Sequence, residues 1–215
     1  MAVITTKAIV LSSLKYGDTS LIVKCFTLQE GVKSYMIKGV LKSKKGKLKP
    51  AHFQPLTQLN LTANHSNKSS LHSIKEVQVI HPYETIHTSV VKQTIVLFLS
   101  EVLSHILQEE EENNPLYSYI ETSLIWLDTH GEVANFHILF LLNLSRYLGF
   151  YPDTTNIDRL AFNLLEGRFT NTEYEKLTLS GKEVILFKSL LGINFDAINS
   201  ISYSKKERQI ILRII

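Results

Sequence analysis

Five lysines crowd into the eight residues Lys42-Ser43-Lys44-Lys45-Gly46-Lys47-Leu48-Lys49. A segment of this composition cannot enter a core, so it stands in solvent as a comb of ammonium groups. Lysines are point charges on flexible stems, suited to phosphate contact rather than to bidentate reading of base edges. Each one that meets a phosphate releases condensed counterion, so the expected binding ignores base sequence and weakens steeply with salt. Lys33 and Lys38 precede the run and extend the cationic set. Aromatic side chains would add base stacking, worth about 1–3 kcal/mol per base. Tyr16, Phe26, Tyr35, Phe53 and Tyr83 lie in or beside the same region, and each is also a core candidate. Tyr35 is the strongest stacking candidate, because it alternates with Lys33 rather than with Val32 and Met36.

Nothing comparable points to catalysis. The sequence has no GxxxxGK[ST] phosphate cradle, no GxGxxG after a strand and no GxSxG elbow. Cys25, the single cysteine, sits inside an apolar run and reads as an inert buried thiol. The eight histidines never form an HxxxH pair, and His105 and His137 fall in apolar helical segments as core or boundary residues. Glu109 to Glu112 reads as a solvated acidic face. The expectation is a protein that is not an enzyme, with no metal and no cofactor.

The elements that must carry the lysines follow from composition and period. The 215 residues have a net charge of +3, but residues 1–80 carry +9 and the rest −6. So uneven a division suggests a polyanion-binding end, with a lysine-rich surface kept for solubility as the plainer alternative. Lys7–Leu11, Leu21–Phe26, Val32–Val40, Phe53–Leu61 and Leu71–Ile80 read as five short strands separated by turn signals at Tyr16–Ser20, Gln29–Gly31 and Asn64–Ser70. Leu59 and Leu61 fall on one face, with Gln58 and Asn60 opposite. This is the pattern of a small antiparallel barrel of the OB type. From Pro82 the period becomes helical: Val90 to Leu107, a helix opened by Asn113-Asn114-Pro115, and a third from about Glu132 to Tyr147 stopped at Gly149. Four glutamates at the end of the first helix oppose its dipole and predict fraying there. Ser180/Glu183 and Ser204/Glu207 have capping-box spacing. The expected class is α+β: a five-stranded OB-fold barrel over 1–80, then an α-helical domain over 81–215. The last helix is still in phase at Ile215, so a further piece of helix is expected to be missing. No window approaches a membrane span and the first residues lack a signal-peptide pattern, so a cytoplasmic location is expected.

The order of these motifs resembles the RecO family of bacterial recombination mediators. The resemblance rests on Tyr16, Gly17, Asp18 and Ser20, then Lys38-Gly39, the lysines from Lys42 to Lys49, Pro50, Phe53 and Pro55. Downstream it rests on Tyr147-Leu148-Gly149-Phe150-Tyr151-Pro152-Asp153 and on Phe162 to Phe169. It implies binding of single- and double-stranded DNA, annealing of complementary strands, and loading of a recombinase onto strands coated by single-strand-binding protein. It also implies RecR and the tail of the single-strand-binding protein as partners, and a nucleoid-associated place in the cytoplasm. The DNA-binding set is then Lys33, Tyr35, Lys38, Lys42, Lys44, Lys45, Lys47 and Lys49; Arg146, Arg159 and Arg168 are the candidate cations for an acidic tail. Many members carry a four-cysteine zinc module after the Pro-Asp segment. Residues 153–180 have no cysteine here, so packing by Leu160, Phe162, Leu164, Leu165 and Phe169 must hold that region. The alternatives are a protein-interaction scaffold, whose lysines meet an acidic protein tail, and an RNA-binding OB protein.

Overall fold

A computed structural model describes residues 2–42, 46–65, 70–109, 111–171 and 177–215. The chain packs as two units, Met1–His130 and Gly131–Ile215.

The first unit is built on one long strand, β1 (Ala2–Tyr16). Its first half pairs antiparallel with β4 (Gln58–His65) and its second half with β2 (Ser20–Thr27). A strand that serves both halves of a barrel has to bend, and the register shift between Val10 and Ser12 provides the bend by inserting Leu11. β3 (Gly31–Ile37) lies antiparallel to β2. β5 (Leu71–Val79) runs antiparallel to β4 and parallel to β3, through Ser34–Leu71 and Tyr35–His72. The barrel closes in the order β1-β2-β3-β5-β4, the five-stranded OB architecture that the turn spacing predicts. The connection into β4 is longer than expected: Pro50–Phe53 forms a 3-10 turn, where a missing N–H costs nothing, and the strand starts only at Gln58.

Ala8, Val10, Val23, Cys25, Tyr35, Ile37, Leu59, Leu61 and Ala63 fill the barrel together with Phe53. Asn60 is exposed, as its alternation requires, but Gln58 is buried and its Nε2 donates to the carbonyl of Glu121 at 3.1 Å. Glu121 belongs to α2 (Asn114–Thr129), which with α1 (Val90–Ile106) makes the two helices of this unit's described residues. They cover outward-facing barrel residues: the Phe26 and Tyr117 rings lie 5.7 Å apart, and Val32 is 7% exposed. Asn113 caps α2 by accepting the Leu116 N–H, with Pro115 in the first turn. The end of α1 is held from the barrel: the Lys24 ammonium donates to the carbonyls of Ser104 (2.5 Å) and Leu107 (3.0 Å), and the helix stops at Ile106, ahead of the glutamates. The Glu109 carbonyl then accepts the Val32 N–H at 2.9 Å.

The second unit starts with α3 (Phe136–Tyr147), ended by Gly149 at φ +82°. A three-stranded sheet follows, β6 (Ala161–Asn163), β7 (Arg168–Thr170) and β8 (Thr178–Leu179), in the order β7-β6-β8. It is an addition to the expected helical domain. Phe162 and Phe169 pack ring to ring at 4.8 Å and are buried, as expected for the region without cysteines, and Leu164 is partly buried. Leu160 and Leu165 are 63% and 73% exposed, which removes them from that packing role. α4 (Gly181–Lys188) and α5 (Lys205–Ile214) complete the unit. Ser204 and Glu207 form the expected capping box: Ser204 Oγ accepts the Glu207 N–H and the Glu207 carboxylate accepts the Ser204 N–H at 2.8 Å. Ser180 makes no side-chain cap; a left-handed Gly181 (φ +56°) follows it, and that expectation is corrected. Among the described residues no helix is long and apolar enough to cross a membrane.

Candidate nucleic-acid interface

The lysine segment leaves the barrel at the end of β3 and returns through the Pro50–Phe53 turn. Its root is fixed. Gly39 takes φ +70°, the Leu41 N–H donates to the Thr19 carbonyl at 2.9 Å, and the Gly39 N–H reaches Ser20 Oγ at 3.4 Å. Val40 is buried beside these bonds, and Leu48 packs against the barrel core toward the other end. Apolar residues thus pin the described parts of the segment. Lys38, Lys42, Lys47 and Lys49 are exposed. Lys47 approaches Glu76 at 3.5 Å with both side chains more than two-thirds exposed, a pair too solvated to hold the lysine against a phosphate. Lys44 and Lys45 lie outside the described residues.

The structure does not bring Lys33 into this group. It sits near the start of β3, five residues before Lys38, about 16 Å away along a strand. It is partly buried and shares the inward alternation of Tyr35 and Ile37.

Tyr35 is corrected as a stacking residue. The alternation with Lys33 is real, but that face points into the barrel: Tyr35 is 0% exposed and packed in the core. Its hydroxyl pairs with His65 Nε2 at 3.1 Å, which lets a polar tip enter the apolar interior. Burial pushes the Tyr35 phenol up and the His65 imidazole down. His65 in turn stacks on His72 at 4.4 Å and lies 3.6 Å from the Glu30 carboxylate. Phe26 and Phe53 are buried as well, and the half-buried Tyr83 donates its hydroxyl to the Leu56 carbonyl at 2.8 Å. Of the five aromatics in or beside the barrel, only Tyr16 is largely exposed, at 56%.

The three candidate arginines, Arg146, Arg159 and Arg168, lie in the second unit, all exposed. The Arg146 guanidinium sits 3.8 Å over the Tyr151 ring, Arg159 donates to the Phe169 carbonyl at 3.3 Å, and Arg168 pairs with Glu166 at 2.6 Å. A groove of 340 Å³ opens nearby in the chain, lined by Leu142, Phe150, Phe162, Leu165, Phe187 and Ile215 among others. Ser145 and Gly167, the chain neighbours of Arg146 and Arg168, also line it; Arg159 does not flank it in this way. Among the described residues no three His, Cys, Asp or Glu side chains gather as metal ligands.

Comparison with known proteins agrees with the order of these elements. Residues 1–83 match the family described as Recombination protein O N terminal, and residues 87–215 match Recombination protein O C terminal. The DNA repair protein RecO of Flavobacterium johnsoniae is 48% identical over 212 residues, covering 99% of this chain and 89% of that protein. RecO of Christiangramia forsetii is 47% identical over 205 residues (95% and 86%), and RecO of Bacteroides fragilis 36% over 217 residues (98% and 88%). With both family models matched in sequence and an OB barrel at the amino end, the chain belongs to the RecO family of DNA repair proteins.

Proposed function

We propose that this protein is a non-enzymatic mediator of recombinational repair that binds single- and double-stranded DNA through the lysine segment of its barrel. In this reading it anneals complementary strands and helps load a recombinase onto strands coated by single-strand-binding protein, within the nucleoid. The observation that carries the proposal is the exposure of Lys38, Lys42, Lys47 and Lys49 on the one connection between β3 and β4, pinned at its root by Gly39 and Leu41. Lys44 and Lys45 belong to the same proposed DNA-binding set, and Lys33 contributes at longer range. Backbone-directed lysines suit annealing, because they screen phosphate repulsion between two strands and leave the base edges free to pair.

The groove of the second unit is the proposed seat for the acidic, apolar tail of single-strand-binding protein. Its walls accept apolar side chains, and Arg146 and Arg168, next in sequence to lining residues, offer cations to a terminal carboxylate. A RecR-type protein is the further proposed partner.

The test is fluorescence anisotropy on labelled single strands and duplexes from about 50 to 200 mM salt. Replacing Lys42, Lys44, Lys45 and Lys47 by alanine is expected to weaken binding to all sequences alike. The salt slope should flatten by up to about 0.9 for each phosphate that the variant no longer neutralises. Unchanged binding by that variant would defeat the site assignment, and a wild-type protein that binds neither DNA at low salt would defeat the function.

A further inference from the structure

The seams that close the barrel are uneven. Among the described residues β3 and β5 meet through two pairs, Ser34–Leu71 and Tyr35–His72, whereas each other seam holds six or more. Three rings gather on this short seam. His65 ends β4 on the inward alternation of Leu61 and Ala63 and is 6% exposed. Its ring stacks on His72 with the planes 22° apart, and the Tyr35 ring lies 5.8 Å from His65 and 6.1 Å from His72.

The bonding of this cluster depends on protonation. A neutral His65 can accept the Tyr35 hydroxyl proton at Nε2 and keep its own proton at Nδ1, toward Glu30. A charged His65 carries a proton on both nitrogens, so the Tyr35 hydroxyl loses its acceptor inside an apolar barrel. That charge also lies against the face of His72, where a second charge would repel it. Glu30 attracts the charge and Lys33 opposes it, and burial tips the balance against it. Tyr35 and its neighbour Cys25 stay neutral in this range, since burial pushes both up. An imidazole freed from the seam takes a proton at its ordinary value of about 6.5, the closed one only below that, so acid favours opening.

We propose that the stacked His65–His72 pair is an acid-sensitive latch: as the pH falls from about 7 to 5, protonation opens the β3–β5 seam while the rest of the barrel stays folded. β3 leads through Ile37 to Gly39, so the opening loosens the root of the lysine segment. The latch stands whether or not that segment binds DNA.

Cys25, the one thiol of the chain, reports the opening, because it is wholly buried and shares the barrel interior with Tyr35. Its labelling by a dipyridyl disulfide, which stays reactive in acid, would be scaled to an unfolded cysteine peptide at each pH, with far-UV circular dichroism recorded alongside. From about pH 7.5 to 5.5 the wild-type rate is expected to rise at least about fivefold with the dichroism unchanged, one titrating group allowing up to about tenfold per pH unit. His65→Gln keeps a hydrogen-bonding side chain for Tyr35 without titrating and should hold the rise under about twofold. His72→Phe keeps the ring stack without its second charge and should also reduce the rise. A flat wild-type rate overturns the latch, and so does an undiminished rise in the variants. Loss of dichroism in step with labelling overturns it too, since the whole barrel would then be unfolding. If one variant fails to fold, the other decides.

Discussion

Cys25 is wholly buried in the barrel, and burial pushes its thiol up to about 12 from 9.0. Above pH 9 the unfolded chain releases a proton that the folded chain keeps, so stability falls as pH rises from 9 toward 12. Replacing Cys25 by alanine removes this effect. Urea midpoints measured between pH 8 and 10.5 should fall less steeply for Cys25→Ala than for the wild type; equal slopes would contradict the buried thiol. A thiol reagent at neutral pH should likewise leave the native protein unmodified. Tyr35 teaches the limit of reading single residues. Its alternation with Lys33 was legible, but alternation fixes which residues share a face and not which face is inside. The interior accepts a tyrosine here because His65, 30 residues away in sequence, stands where the hydroxyl needs a partner. No local signal carries that information. Tyr16, which is largely exposed, was legible only as one aromatic among several.

At the scale of elements, one carboxylate ties the barrel to its helices. Asp128, in the last turn of α2 and 2% exposed, accepts the backbone N–H groups of Glu84, Thr85 and Ile86 at 3.0, 2.8 and 3.0 Å. Lys92, 4% exposed on α1, donates to Thr85 Oγ1 at 2.6 Å and to the Asp128 carbonyl at 2.8 Å. Burial disfavours the Asp128 charge, yet these N–H donors and the Thr85 hydroxyl outweigh it and hold the carboxyl below its usual range. Asp128→Ala leaves three backbone donors without their acceptor and takes the buried carboxylate away from Lys92, at an expected cost of about 2–4 kcal/mol in denaturant unfolding. A loss under about 1 kcal/mol would show that the linker holds without it. None of this network is legible in the sequence, because Asp128 lies more than 35 residues from the groups it gathers and nothing local marks their meeting. Long elements were legible: the five strands, α1, α2 and the Asn113 cap all follow from period and capping chemistry. The sheet of β6, β7 and β8 was not, because strands of three, three and two residues are too short to show a period.

For the whole molecule, the family models and the packing divide the chain at different places. The family match changes between residues 83 and 87, near the expected boundary at 80, while the compact units divide after His130. The reason is physical: Phe26, Val32 and Gln58 face outward from the barrel and are covered by residues beyond 83. A fragment of residues 1–130 should therefore melt cooperatively, whereas a fragment of residues 1–83 should melt broadly and bind a hydrophobic dye. Equally sharp melting of the two fragments would show that the helices are not needed to complete the barrel.

The hydrogen bond from Val32 to the Glu109 carbonyl has an electrical consequence. It fastens the acidic stretch containing Glu109, Glu111 and Glu112 near one end of β3, where Glu30 also lies, while Lys38 and the lysine segment leave from the other end. Charge of opposite sign is thus separated along the length of one strand, about 23 Å for seven residues. On the proposed DNA-binding reading, a protein with net charge of only +3 then meets the polyanion under a torque as well as an attraction. Arrival with the lysine end foremost becomes the favoured encounter, and the association rate should depend on salt more strongly than the net charge alone would allow.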